Sequence, residues 1–191
     1  MKDEKLLQDL RESDALLSGH FLLSSGLHSG QYIQCAKLLQ YPERTARAAN
    51  AIARHFVKKE IRCVVGPALG GIVIAYKVAE ALGIRSIFGE RQDQQMCLRR
   101  GFTVDKGEKV IVVEDVITTG KSVRELIDVL NSYGADVVGV ASIIDRSKNA
   151  IDFGCEFFSL MALDIATYHE NECPLCAEKI PVVKPGSRGI S

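Results

Sequence analysis

Apolar and polar positions along the chain switch between two periods, and the switches mark the elements. From Asp3 to Leu17, Leu6, Leu7, Leu10, Ala15, Leu16 and Leu17 predict a helix with one buried face. The run from Gly19 to Gly30 is short, apolar, and broken by Ser and Gly residues, which predicts a hairpin or a strand with a turn. A second helix is predicted from Pro42, a favourable first-turn residue, to about Lys59. Its Ala46, Ala49, Ile52, Ala53 and Phe56 keep helical spacing.

The middle of the chain alternates. Strands are predicted at Ile61 to Val65, Ile84 to Phe88, Val110 to Glu114, Val137 to Ile144 and Glu156 to Leu163. Helices are predicted at Ile72 to Leu82 and around Val123, Leu126, Ile127 and Leu130, ending near Gly134. The run Val110 to Glu114 is continuously apolar until its closing acid, as expected of a strand buried on both faces. Strands alternating with helices imply an α/β fold with a parallel sheet and right-handed crossovers. Ligands of such sheets bind beyond the carboxyl ends of the strands, so the loops after Val65, Phe88, Glu114 and Ile144 are the ones to search. The tail from Tyr168 to Ser191, with three prolines and two cysteines, reads as an irregular appendage to a single domain over 1–167. No internal repeat is visible.

Composition narrows the function classes. The 191 residues carry 24 Lys+Arg against 24 Asp+Glu, so no global charge draws the chain to nucleic acid or an anionic membrane. At 47% hydrophobic it resembles an ordinary packed domain, and no apolar run is long enough to span a bilayer. Met1 to Leu10 is charged and lacks the apolar segment of a signal peptide, so a cytoplasmic location is expected. The six cysteines are scattered, and reduced thiols are expected rather than a disulfide framework.

The richest segment is Val110-Ile111-Val112-Val113-Glu114-Asp115-Val116-Ile117-Thr118-Thr119-Gly120-Lys121-Ser122. A buried strand delivers two adjacent carboxylates, then a Thr-Thr-Gly-Lys-Ser turn opens a helix. Hydroxyls and free backbone N–H groups at a helix start suit a phosphate dianion. Two acids beside that cradle suit a ligand that also presents hydroxyls or a carbon becoming positive, as ribose 5-phosphate does. Strand-end acids are also common as solvated or capping residues, and the turn alone would pass as an N-cap. A Walker A loop is excluded, because its first glycine would fall at Asp115. Pro67-Ala68-Leu69-Gly70-Gly71 lies between a strand and a helix, where bare backbone can approach a ligand, and it is not a dinucleotide fingerprint.

The order strand, acid pair, Thr-Thr-Gly, helix resembles the phosphoribosyl pyrophosphate motif of the type I phosphoribosyltransferases, and the likeness to their orotate branch runs over nearly the whole chain. The resemblance implies the type I fold, a parallel sheet of about five strands flanked by helices under a small N-terminal hood from about 1–40. It implies transfer of the phosphoribosyl group to orotate, giving orotidine 5′-phosphate and pyrophosphate, with magnesium held by ligand and water, in a homodimer. Glu114 and Asp115 would hold the ribose hydroxyls, and Asp115 would stabilise an oxocarbenium-like transition state. Residues Val116, Ile117, Thr118, Thr119, Gly120, Lys121 and Ser122 would seat the 5-phosphate. Ala68, Leu69, Gly70 and Gly71 would form the pyrophosphate loop. Gly19 to Ser29 would cover the base, Thr118 would touch orotate, and Arg146 would pair with its carboxylate. Arginine's planar fork suits that partner, although a surface role in the polar turn Asp145 to Asn149 is the competing reading.

The chain departs from the better-known members of that branch. Ser24 and Gly70 stand where they carry lysines, and Glu90 to Gly101 contains neither lysine nor histidine where they have a Lys-x-x-Lys-x-His loop. Arg91, Arg99 or Arg100 is expected either to meet the pyrophosphate or to belong to a solvated basic loop. Cys173-Pro174-Leu175-Cys176 has zinc-knuckle spacing but supplies only half a tetrahedral site, which His169 or a second tail could complete; a structural or metal-free role is favoured over zinc. His20, His28 and His55 share no metal-binding spacing, and His28, in a loop near the supposed base site, reads as a solvated loop residue in preference to a functional one. Two other functions stay open at this point. One is a purine phosphoribosyltransferase, which would have no carboxylate for Arg146. The other is a non-catalytic sensor of phosphoribosyl pyrophosphate, which would need a nucleic-acid module.

Overall fold

A computed structural model describes residues 4–23, 25–147 and 149–185; Ser24, Lys148 and the last six residues fall outside them. The chain begins with helix α1 (Glu4–Glu12), hairpin strands β1 (Leu16–Leu22) and β2 (His28–Ile33), and helices α2 (Ala36–Leu39) and α3 (Pro42–Phe56). There follow β3 (Cys63–Pro67), α4 (Gly70–Leu82), β4 (Arg85–Gln92), β5 (Gln95–Leu98), β6 (Lys109–Ile117), α5 (Lys121–Ser132), β7 (Asp136–Asp145) and β8 (Glu156–Ala162). The tail adds β9 (Thr167–Tyr168) and α6 (Pro174–Ala177).

The main sheet has six strands in the order β5-β4-β3-β6-β7-β8. Five of them are parallel, and β5 is an antiparallel edge hairpinned to β4. The central strands bury both faces by simple alternation. Val64, Ile111 and Val113 pack with α1, α3 and α4 in one core, while Cys63, Val65, Val110 and Val112 pack with α5 in the other. This three-layer arrangement is the type I phosphoribosyltransferase fold, and it holds the carboxyl ends of β3, β6 and β7 side by side. Above them stands the hood, a small antiparallel sheet β1-β2-β9. The tail is tied into this hood, with Val183 N–H donating to the His20 carbonyl at 2.8 Å and Leu22 N–H to the Val183 carbonyl at 2.9 Å.

Three predicted elements differ. The first helix stops at Glu12 rather than Leu17, because Asp14 turns left-handed (φ 52°) and Leu16 and Leu17 pair with Ile33 and Tyr32 of β2. Strand pairing thus outweighs the helical spacing of Ala15 to Leu17. The expected basic loop Glu90 to Gly101 is largely the β4–β5 hairpin, turned by Asp93 and Gln94, both left-handed (φ 50° and 67°). Finally, β6 runs three residues past Glu114, so both acids lie within the strand and the phosphate turn starts at Thr118.

Candidate active site

Glu114 and Asp115 project where β6 passes the first turn of α4. A Cβ placed on Gly70 would lie 2.6 Å from Asp115 Oδ1, and one on Gly71 would lie 2.8 Å from the Val113 carbonyl and 3.1 Å from Glu114 Oε1. Only glycines allow the loop after β3 to come this close to the acids. The Val116 N–H donates to Asp115 Oδ1 at 2.8 Å, and the Asp115 N–H to Glu114 Oε1 at 3.1 Å, which fixes both carboxyls beside the strand. Burial, then the neighbouring Asp115 charge, pushes the Glu114 carboxyl up to about 9. Glu114 therefore retains its proton near neutrality. Cys35 sits behind it, 4.0 Å from the Asp115 carbonyl, and burial followed by the two acids holds its thiol well above the ordinary range.

The proton held by Glu114 has a measurable consequence. Between the ordinary glutamate value of 4.5 and about 9, the folded protein binds a proton that the unfolded chain has released, so stability falls as pH rises through that window. Glu114→Gln removes the effect. Its melting temperature, measured without ligands, is expected to climb relative to wild type between about pH 5 and about pH 8. A difference independent of pH would show that Glu114 holds no such proton.

Beyond β6, Thr118, Thr119 and Gly120 lead into α5. Gly120 is left-handed (φ 72°) and backs onto Phe153, where a Cβ would meet the ring at 2.9 Å. A pocket of about 80 Å³, bounded by Glu114 and by residues 116–123, opens over the start of this helix. Its size and the convergent helix N-terminus suit a phosphate group. It adjoins a larger cavity of about 780 Å³ between hood and sheet, and Val116, Thr118 and Thr119 border both. Arg146, just past β7, reaches into the larger cavity opposite Tyr32 and Leu27 of the hood. Its Nε is buried without a hydrogen-bond partner, and no carboxylate among the described residues pairs with its guanidinium. Burial lowers its pKa, and Tyr32 opposes that shift.

A model of the phosphoribosyl transferase domain matches residues 36–152, which span the glycine loop, the acid pair, the phosphate turn and Arg146. The orotate phosphoribosyltransferase of Caldanaerobacter subterraneus is 52% identical over 190 residues, covering all of both chains. The chain belongs to the orotate phosphoribosyltransferase family. The Thermotoga maritima member is also 52% identical, over 95% of this chain and 97% of its own. The crystal structure of orotate phosphoribosyltransferase from Aeropyrum pernix superposes with a TM-score of 0.71 at 28% identity, covering 83% of this chain and 93% of that one.

Within this family member, the arginines of the β4–β5 hairpin are occupied by acids. Arg91 pairs with Glu125 of α5 and lies 3.4 Å from Ser122 Oγ, so it stands at the rim of the phosphate pocket. Arg100 pairs with Glu90 at 3.1 Å, and Arg99 lies 3.9 Å from the same carboxylate. Ala68 N–H donates to the Gly89 carbonyl at 2.7 Å, anchoring the glycine loop to β4, while Leu69 stays 84% exposed.

Two histidines overturn their sequence reading. His28 is 5% exposed rather than solvated, and His20 is 3% exposed. Both lie against Cys173 and Cys176, whereas His169, one of two ways considered to complete the cysteine pair, is exposed and outside the cluster. The eight-residue separation of the two histidines spans the hairpin turn, so only strand pairing brings them together. Sequence reasoning also missed Tyr32 and Lys184, which border the larger cavity from β2 and from the tail. Tyr32 had a signal in the alternation of β2; Lys184 had none, because the path of the tail is set by pairing of Val183 with the hood.

Proposed function

We propose that the chain transfers the phosphoribosyl group of phosphoribosyl pyrophosphate to orotate, giving orotidine 5′-phosphate and pyrophosphate in pyrimidine synthesis. The observation that carries the reading is the convergence of a phosphate-sized pocket, an acid pair and the unpaired guanidinium of Arg146 around adjoining cavities. The backbone and hydroxyls from Thr118 to Ser122 seat the 5-phosphate, which places the ribose over Glu114 and Asp115. Arg146 binds the orotate carboxylate, with Thr118 as a second contact, so a ring nitrogen faces the anomeric carbon. As that nitrogen attacks and pyrophosphate leaves, positive charge develops on the ribose ring, and Asp115 stabilises it from a fixed position. The bare backbone of Ala68 to Gly71 receives the pyrophosphate.

The acid pair is an all-oxygen donor set that already retains a proton, and a hard divalent cation brought in with the substrate fits the same place. Magnesium, when bound, would neutralise charge on the pyrophosphate leaving group. We further infer a cytoplasmic homodimer in which residues 1–167 form the transferase domain. Leu69, just before α4, and Val73 and Tyr76 on it are exposed at helical spacing and support a subunit contact at the pyrophosphate loop. Arg91, Arg99 and Arg100 are then the cations available to that loop from the hairpin.

The test follows the ultraviolet absorbance of orotate with phosphoribosyl pyrophosphate and magnesium, against adenine, hypoxanthine, xanthine and uracil. Turnover confined to orotate is expected. Turnover of a purine instead would overturn the base assignment, and no turnover of any base would favour a sensor.

A further inference from the structure

Outside the active site, four side chains with metal-binding atoms meet in the hood. His20 Nε2, His28 Nδ1, Cys173 Sγ and Cys176 Sγ all lie within 4.8 Å of one another. None of the four borders the base cavity, and all lie outside the matched transferase domain. We propose that they bind one zinc ion in a closed tetrahedral Cys2His2 site that staples the tail across the hood hairpin.

The geometry supports a shared central ion. A tetrahedral zinc with Zn–S of about 2.3 Å and Zn–N of about 2.0 Å separates nitrogen and sulfur ligands by about 3.5 Å. The distances are 3.5 Å for His20 Nε2 to Cys173 Sγ, 3.7 Å for His20 Nε2 to Cys176 Sγ, and 3.3 Å for His28 Nδ1 to Cys176 Sγ. The two ring nitrogens are closer, 2.8 Å apart. The tautomer of His20 points the same way. His20 Nδ1 lies 2.7 Å from the Ile180 carbonyl, which can only accept, so Nδ1 carries the hydrogen and the neutral ring turns its Nε2 lone pair into the cluster. A backbone carbonyl on the far nitrogen is the usual way a metal-binding histidine is oriented. The His20 Nε2 lone pair therefore faces three further metal-binding atoms, and a mixed sulfur and imidazole set of four selects zinc among common divalent ions.

The site is structural rather than catalytic, because the protein supplies all four ligands and leaves no position for a substrate or water. Its ligands come from β1 and β2 at one end of the chain and from the turn into α6 at the other. One ion therefore joins segments about 150 residues apart, where a cross-link removes the most freedom from the unfolded chain. The segments it ties include Thr167 and Lys184, which wall the base cavity, so the ion holds the tail side of that cavity against the hood.

The site can be tested without reference to turnover. Full-length, tag-free protein isolated under reducing conditions is expected to contain one zinc per chain by plasma mass spectrometry. The zinc should be released on mercurial titration of the thiols. Cobalt(II) exchanged into the wild-type protein should show the intense visible bands of a tetrahedral ion and a sulfur-to-cobalt charge-transfer band. Cys176→Ser and His28→Ala should each lose the metal, and removal of zinc from wild type should lower the melting temperature by at least about 5 °C. The proposal is overturned if reduced protein supplied with zinc or cobalt binds neither. It is equally overturned if Cys173 and Cys176 are found joined as a disulfide in folded, metal-free protein of undiminished melting temperature. Should either variant fail to fold, the cobalt spectrum of the wild type decides alone.

Discussion

Asp115→Asn is expected to lower kcat by about 10²–10³-fold, equivalent to roughly 3–4 kcal/mol of transition-state stabilisation. The substitution keeps the volume of the side chain and an oxygen able to accept the Val116 N–H, the contact now made at 2.8 Å. It also leaves the close approach of Gly70 undisturbed, since no atom is added toward the loop. What disappears is a negative charge fixed beside the ribose, in a site where half-burial limits screening by water. The loss should fall on kcat, with the KM for phosphoribosyl pyrophosphate changing much less, because the phosphate turn and the glycine loop still hold the substrate. Steady-state kinetics of the purified variant, with its melting temperature as a control on folding, make the comparison. An asparagine enzyme within about threefold of wild type would remove Asp115 from the chemistry.

Much of this site could be read from the residues because the sequence places its parts on neighbouring strands by local rules alone. The β-branched runs around Val64, Val112 and Val140 specify a buried parallel sheet, and such a sheet presents the ends of β3, β6 and β7 together. The loops carrying Gly70, Thr118 and Arg146 follow from that order. Local rules fail where a contact depends on distant pairing. The turn at Asp93 and Gln94 lacks glycine or asparagine in its second place, so nothing announced β5. Leu16 and Leu17 continue a helical stripe and yet pair as strand, because β2 offers backbone partners that the helix cannot. The grouping of His20 and His28 with two cysteines some 150 residues away depends on both the hairpin and the tail, and no spacing in the chain encodes it.

The arginines show a further limit, one of state rather than of fold. Arg91, Arg99 and Arg100 are all engaged by Glu90 or Glu125, so a role at pyrophosphate requires them to exchange a carboxylate for the ligand. These pairs are partly exposed and individually weak, worth about 0–1 kcal/mol, so the trianionic or dianionic leaving group can compete for them. Arg146 differs in having no such partner, which makes it the sharper test of base recognition.

Arg146→Ala is expected to reduce kcat/KM for orotate by about 10²-fold or more, the effect of leaving a desolvated carboxylate unpaired, at about 3 kcal/mol. The KM for phosphoribosyl pyrophosphate should stay within a few-fold of wild type, since Arg146 borders the base cavity and does not line the phosphate pocket. Arg146→Lys should recover only part of the loss: it restores the charge but not the two parallel donors that match a carboxylate. Uracil, which lacks the carboxylate, should be handled no worse by the alanine variant than by wild type, and this contrast isolates the carboxylate from the rest of the base. Stability separates binding from a structural role. Burial already works against the guanidinium charge, and its Nε has no partner in the folded protein. Removing it should therefore leave the ligand-free melting temperature unchanged or raised, whereas a fall of several degrees with orotate kinetics intact would assign Arg146 to the scaffold and leave the base's carboxylate to another cation, with Arg124 and Lys184 the candidates among the residues lining the same cavity.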